Sequence, residues 1–396
     1  MTDRNQLKPG WKVWRFDQMA TNVNVRIDNP SESGMEHYVG LEHLDPDSLR
    51  IRRWGSPDDV EATKLMFKKG DIIFGRRRAY QRKLGVAEFD GICSAHAMVL
   101  RAKPEVVLPE FLPYFMQSDL FMNRAVEISV GSLSPTINWK TMAIQEFALP
   151  SISEQKELVI KFQAMDEAIN KLGQVVDTAE KLKQSLANQH FMTQPSIQKT
   201  SLVKLCEIIR DGTHAPPKRT SEGPLLLGVT NLIKGRLQET SEDTRVSEDF
   251  FRKMHKSWTP MPGDVLLAIV GATIGKTAIV PEQFPKFTLQ RSVAVLRGSV
   301  GKLDNRFLRF FLASSIGQRL LWAKVHQTAQ PGLYLKDLGS IELAVPSIDR
   351  QREIVEQVEQ LETASDNALS RRHALSQMRF GSLNEICVST RGADVY

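Results

Sequence analysis

FALPSISEQKELVIKFQAMDEAI, Phe147–Ile169, decides the fold, because it returns as ELAVPSIDRQREIVEQVEQLETAS, Glu342–Ser365. Pairing Pro150 with Pro346 sets an offset of 196 residues, and the same offset pairs Ser151 with Ser347, Gln155 with Gln351 and Glu157 with Glu353. It also pairs Phe111 with Phe307, in EFLPYFMQSDLF and RFLRFFLASSIG, and Pro135 with Pro331, in GSLSPTIN and QTAQPGLY. Further upstream, GDIIF at Gly70 matches GDVLL at Gly263, and YVGLEHL matches LLGVTNL with Gly40 opposite Gly228. The offset drifts to 193 and then 188, as changes in loop length make it do. Five matching segments in one order mean that nearly the whole chain is duplicated.

Each repeat ends in a long amphipathic segment. After Pro150 the apolar positions are Leu158, Phe162, Met165, Ile169, Leu172, Val176 and Ala179, spaced alternately by four and three. That is the seam of a coiled coil. After Pro346 the series is Ile354, Val358, Leu361, Ser365, Ala368, Arg372 and Leu375, interrupted at Ser365 and Arg372. The prolines stop the preceding strands, and Ser153 and Asp349 are the expected N-caps. A helix of about 37 residues spans about 55 Å, and a stripe that long needs a partner. The other repeat's helix is the simplest one, which predicts antiparallel packing with Leu158, Phe162, Met165, Ile169, Leu172, Ile354, Val358 and Leu361 in the contact.

Between the helices the chain reads as short strands broken by Gly and Pro. Strands are expected over Asp71–Phe74, Ala97–Arg101, Val265–Val270 and Ser292–Arg297, and helices over Phe111–Phe121 and Phe307–Leu321. The fold class is α+β: two tandem pseudo-symmetric domains, each followed by a long helix. The expected segments are 1–150, 151–195 (helix), 196–346, 347–386 (helix) and a polar tail, 387–396.

The chain has 396 residues, 41 % hydrophobic and 25 % charged, with a net charge of +6. The basic excess fits a polyanionic partner. Three scattered cysteines form neither a CxxC pair nor a metal cluster, which points to a reducing compartment. No apolar run is long enough to span a membrane and MTDRNQLKPG has no signal-like core, so a soluble cytoplasmic protein without a membrane partner is expected.

The densest basic tract is RRRAYQRK, residues 76–83. Arg76, Arg77, Arg78, Arg82 and Lys83 suit phosphates or guanine edges, Gln81 suits adenine, and Tyr80 can stack. The tract follows a strand, so a projecting loop is expected. The loops GSLSPTIN (with Ser132, Ser134 and Asn138) and QTAQPGLY (with Gln327, Gln330 and Tyr334) offer short polar groups for base edges. DGTHAPPK adds His214 and Lys218, and GATIGKTAIV adds Lys276. The last stretch resembles a phosphate loop, but three residues separate Gly271 from Gly275 where four are needed, and a strand rather than a helix follows.

Signatures of catalysis are missing. The chain lacks the amino-methyltransferase motif, HExxH, GxSxG and the kinase sets, and after Pro57, Asp58 and Glu61 the nuclease lysine is replaced by Ala62 and Thr63. Neither a catalytic constellation nor a metal site is expected.

The chain resembles the specificity subunit of type I restriction–modification enzymes over essentially its full length. The resemblance is carried by LKPGWKVWRF (Leu7–Phe16), YVGLEHL, GDIIFGRRRAYQRKLGVAEFDGIC (Gly70–Cys93), LPSISEQ and VPSIDRQ, and in the second half by DGTHAPP, GDVLLAIVGATIGKTAIV and TAQPGLYLKDL. It implies two target-recognition domains, each contacting one half of a split site on double-stranded DNA. It implies helices that set the gap and dock two methyltransferase subunits, with restriction/translocase subunits completing the complex. S-adenosylmethionine, ATP and Mg would sit on those partners and no cofactor on this chain. Because RRRAYQRK and GATIGKTA differ, the target is expected to be asymmetric. Two other classes remain: a coiled-coil scaffold that touches no DNA, and a DNA-modifying enzyme in its own right.

Overall fold

The structure, a computed structural model, describes residues 7–192, 198–215, 217–327 and 329–388. The junction expected at 195–196 lies outside these residues. So does the tail expected at 387–396, save that the backbone of 387 and 388 is helical. The chain forms two compact units. One joins the residues up to Leu172 with those from Ser370 on, and the other comprises Gly173–Leu369. Each unit therefore holds one module, the start of that module's own long helix and the end of the other's.

In the first unit Ala20–Val23, Met98–Ala102, Ile72–Phe74 and Leu84–Val86 form an antiparallel sheet in that order. A second sheet holds Arg26–Ile27, Lys64–Phe67, Gly91–Ser94 and Tyr38–Val39. The second unit repeats the order of the first of these sheets, with Val293–Gly298, Val265–Ala268 and Thr277–Ile279 as successive strands. In both, the strand before the long helix pairs with the unit's first strand: Glu146–Leu149 with Lys12–Arg15, and Glu342–Ala344 with Lys199–Ser201.

The aspartate of each GD pair fixes the turn into its strand. Asp71 and Asp264 are both buried. They accept from the amides of Lys68 and Met261, each at 2.8 Å. Each also holds an arginine in two bonds, Arg101 at 2.7 and 2.8 Å and Arg297 at 2.6 and 2.8 Å. Such a forked pair compensates the burial of the carboxylate. The hydrogen bond to Asp71 raises the Arg101 pKa, and the bond to Asp264 does the same for Arg297.

The two long helices run over Ile152–Phe191 and Ile348–Val388. Their caps fall two residues before the expected ones: Ser151 accepts from the amide of Glu154 and Ser347 from that of Arg350. The helices start directly after the strand-ending proline, so the serine itself is the last non-helical residue. The buried Gln155 and Gln351 then tie each helix to its module. Gln155 accepts from the amide of Leu108 and donates to the carbonyls of Pro150 and Val106. Gln351 bonds Asp304, Pro346 and Lys302 in the same way. This explains the repeated PSIxxQ.

The expected helix over Phe111–Phe121 is two helices, Phe111–Gln117 and Asp119–Glu127, and its counterpart is Asn305–Ala313 followed by Ser315–Trp322. Ser118 and Ser314 cause the breaks. Each hydroxyl donates to the last turn behind it and accepts from the amide that opens the next helix. A serine able to satisfy both ends favours a cap over a continuous helix.

The seam residues serve the modules as well as the helices. Phe162 is fully buried in the first unit's core, with Leu158 and Met165 against it, and Leu383 from the second helix joins the same cluster. Ile354 and Val358 enter the second unit's core beside Ala187 and Phe191 from the first helix. Ile169, Leu172 and Leu361 are half-buried. In each unit the start of its own long helix and the end of the other share one core.

Ion pairs fix the antiparallel direction. In the first unit Arg379 bonds Asp166 at 3.0 Å and Lys161 reaches Ser382 at 3.5 Å. In the second unit Lys183 lies 4.0 Å from Glu362. The repeat offset of 196 maps Asp166 onto Glu362 and Lys183 onto Arg379, so the two pairs are equivalent. They differ in depth. Arg379 is buried and also donates to the carbonyl of Asp47, while Tyr114 donates to Asp166 at 2.8 Å. Burial and the Asp166 carboxylate push the Tyr114 hydroxyl well above the usual phenol range.

Candidate nucleic-acid interface

RRRAYQRK connects the antiparallel strands Ile72–Phe74 and Leu84–Val86. The GSLSPTIN loop is bolted to its start. The amide of Arg78 donates to the carbonyl of Pro135 at 2.8 Å, and that of Ile137 donates to Arg76 at 3.0 Å. Val130 and Thr136 close the loop by a reciprocal pair of bonds, leaving 131–135 as its tip. The second unit repeats these bonds. Gly271 donates to Pro331 at 2.8 Å, Leu333 to Ile269 at 2.9 Å, and His326 and Gly332 close a tip at 327–331.

Backbone conformation shows what differs. Arg78 and Arg82 are left-handed, with φ of 58° and 53°. Their equivalents at an offset of 193 are Gly271 and Gly275, with φ of 78° and 95°. The second unit thus has glycine where the turn requires positive φ, and the first has arginine at a cost of about 1 kcal/mol or more at each position. The glycines that mimic a phosphate loop are explained by the same turn.

Arg82 recovers that cost internally. It pairs with Asp47 at 2.7 Å and Asp119 at 2.9 Å, and it stacks on Phe380, 4.9 Å from the ring centre. Lys83 donates to the carbonyl of Leu41 at 2.7 Å. These two cations, expected on a projecting loop, are committed to holding the first unit together. The tract is only partly a free basic surface, because acids from outside it fold back onto its far end.

Arg76, Arg77 and Arg78 stand at the clamp. Arg76 donates to the carbonyl of Ala95 at 3.1 Å. Arg77 bonds the His96 ring at 3.2 Å, and exposed Arg78 has the Ser134 hydroxyl at 3.1 Å. Burial, then the Arg77 and Arg76 charges, lower the His96 pKa. Tyr80 is 55 % exposed, Gln81 is half-buried, and Ser132 and Asn138 are exposed on the loop.

Beside the arginines lies a cleft of about 240 Å³, lined among others by Asn22, Asn24, Arg26, Thr63, Arg76 and Trp139. Among the described residues no carboxylate lines it, so it suits acceptor groups. Of these residues only Arg76 stands out in the sequence. The strand carrying Asn22 and the residues after it are too short and polar to show their register, although they precede YVGLEHL as DGTHAPP precedes LLGVTNL.

In the second unit Tyr334 is 62 % exposed and packs edge-on to His326, whose ring bonds Asp337 at 2.9 Å. Gln327, Gln330 and Lys276 are exposed around the same clamp. His214 pairs with Asp211 at 3.0 Å and Lys218 is exposed nearby; the segment is held through Thr213 to Leu289 and Arg291. The amide of Ile269 donates to the neighbouring Ser292, which brings this loop towards the clamp. Among the described residues no group of His, Cys, Asp and Glu could hold a metal, and no helix is long and apolar enough to cross a membrane.

Comparison with known proteins adds a lineage to this geometry. The family model described as the type I restriction modification DNA specificity domain matches residues 60–176 and again 233–372, together more than half of the chain. The EcoDI specificity subunit of a type I restriction enzyme from Escherichia coli is 28 % identical over 199 residues. That match takes in 48 % of this chain and 41 % of the relative, so the chain spans less than half of that relative's length. Among solved structures, the type I restriction-modification S subunit from M. genitalium superposes with a TM-score of 0.61 at 16 % identity, covering 99 % of each chain. A chain from a type I R-M system studied for its assembly and conformational transition gives 0.58 at 21 %, covering 98 % of this chain and 99 % of that one.

Proposed function

The chain belongs to the type I restriction modification DNA specificity family, and from that premise we propose that it reads a split, asymmetric DNA site, one half with each unit's clamp. The carrying observation is Arg78. It keeps a strained backbone where its equivalent is glycine, and among the described residues its one side-chain bond is to Ser134 on the loop. The turn imposes positive φ here and glycine meets it without strain, so an arginine kept at this position is accounted for by a ligand for its side chain.

Arg77 and Arg78 contact phosphates or guanine edges, with Ser132, Ser134, Asn138, Tyr80 and Gln81 around them. Lys276, Gln327, Gln330, Tyr334, His214 and Lys218 form the corresponding set in the second unit. Sequence is read where the two sets differ, and the shared backbone bonds present each set in the same way. The long helices dock two methyltransferase subunits. A shallow groove on the second helix, including Glu356, Glu359, Gln360 and Asn367, offers them a polar face. Restriction/translocase subunits join through those partners. The chemistry, with S-adenosylmethionine, ATP and Mg, belongs to the partners, and this subunit works in the cytoplasm without an active site of its own.

Replacing residues 1–150 with the corresponding module of another family member tests this. The methylated half-site on one side should change while the other stays. A change in both halves, or in neither, overturns the two-reader assignment.

A further inference from the structure

The two loop tips have the same frame and opposite surfaces. In the first unit the apex is Leu133, 91 % exposed, with Val130 at its base 72 % exposed. At an offset of 196 the second unit has Ala329 at the apex and His326 at the base. A solitary exposed leucine needs no explanation. Here two exposed apolar side chains crown a loop whose backbone is bolted at both ends, directly beside Arg77 and Arg78. The loop's own hydrogen bonds do not use Leu133, and the equivalent tip keeps those bonds with alanine. Its size is therefore not needed for the fold.

We propose that Leu133 is a specificity-determining residue that packs on the 5-methyl group of one thymine in the half-site read by the first unit. The inference rests on the DNA-reading assignment above. Arginines flanking the tip bring it to a polyanion, and on a base edge in the major groove the apolar feature is the thymine methyl. A protein partner with an apolar socket would have to bury the neighbouring arginines with it. At the equivalent position the second unit has the shorter apolar side chain of Ala329.

The test uses the complete complex of this chain with its partner subunits and a duplex bearing its methylation site. Each thymine is replaced in turn by deoxyuridine, which removes only the methyl. The wild type should bind about fourfold more weakly at one thymine of the first unit's half-site, the value of one buried methyl-sized group. Leu133→Ala should bind unmodified DNA more weakly by about the same factor and become indifferent to that replacement. Its melting temperature should equal the wild type's, which separates a local effect on the DNA from a damaged fold. The proposal is overturned if no thymine matters or if the first half-site has none. It also fails if the sensitive thymine belongs to the second unit's half-site, or if Leu133→Ala discriminates as the wild type does. A fluorescence rise of 2-aminopurine at one base step that Leu133→Ala abolishes, without methyl discrimination, would overturn it in favour of a wedge. Absence of site-selective binding by the wild type would sink the DNA-reading assignment itself, a result distinct from all of these.

Discussion

The clamps of the two units share their backbone bonds and little else. Arg78 to Pro135 and Gly271 to Pro331 are the same bond at 2.8 Å, yet one donor carries a guanidinium and the other no side chain. At Arg82 and Gly275 the positive φ is shared but not the bond: Arg82 donates to Ala79 at 2.9 Å and Gly275 to Ala268 at 3.0 Å. Where the fold alone decides, as at Asp71 and Asp264 or Gln155 and Gln351, the repeats have kept one residue type. Where they part the outcome is divided: Arg82 serves its own unit through Asp47 and Asp119, whereas Arg78 has an exposed side chain bonded to Ser134. Duplication has left an internal control: a position that differs while its hydrogen bonds do not is free to serve something outside the chain.

The sharpest way to break the comparison is at the helix ends, where the equivalence is geometric but the depth differs. Arg379→Ala strands Asp166 beside a buried tyrosine and should cost about 3 kcal/mol in urea unfolding. Lys183→Ala, at the more exposed pair, should cost about 0.5 kcal/mol. Equal effects would refute the distinction. Next come the two left-handed arginines, for which opposite signs are expected. Arg82→Gly relieves strain but removes two ion pairs and a stacked ring, and should destabilise by about 2 kcal/mol. Arg78→Gly relieves the same strain and removes one exposed bond, so it should stabilise by about 0.5 kcal/mol while weakening DNA binding. A stabilised Arg78→Gly variant with full affinity would remove the main support for the site.

Smaller effects concern the ligand and pH. Converting Arg77 and Arg78 to alanine should make the log–log salt dependence of binding shallower by about 0.9 for each phosphate that is no longer neutralised. Lys276→Ala, at the second clamp, should change it by a single such step. His96 gives the smallest effect. Its unfolded ring titrates near about 6.5 and its folded ring lower, so the folded form binds fewer protons. Its contribution is complete above about pH 6.5 and disappears as pH falls through the folded value. Protonation also ends its ability to accept from Arg77. The urea midpoints of wild type and His96→Gln should therefore converge on acidification, and a constant difference from about pH 8 to about pH 5 would dismiss the pair.

The duplication, the α+β modules and the helix seams were legible because offset and periodicity survive in sequence. The strands Ile72–Phe74 and Val265–Ala268 lie within the short apolar stretches, Asp71–Phe74 and Val265–Val270, expected as strands. The serine breaks at Ser118 and Ser314 were not, because a polar residue within an apolar run reads as helix until its hydroxyl is placed. Arg82 and Lys83 misled for a related reason: a basic tract shows its charges, and the acids that neutralise it, Asp47 and Asp119, come from elsewhere in the chain. The cleft with Asn22, Asn24 and Trp139 was hidden too, since it gathers residues far apart in sequence.

One consequence concerns time rather than space. The first unit's core includes Leu383, and its buried ion pair includes Arg379, both from the second long helix. At about 5–20 residues per second a ribosome needs roughly 10–40 s to advance from the end of this unit's first portion at Leu172 to its second portion at Ser370. During that interval the first module exists without the helix that seals it. Gly173–Leu369, one continuous stretch, can close first. Of the two units, the one whose first portion is made earlier is thus the one completed later, and for those seconds the apolar surface awaiting Leu383 is open to chaperones and to neighbouring copies.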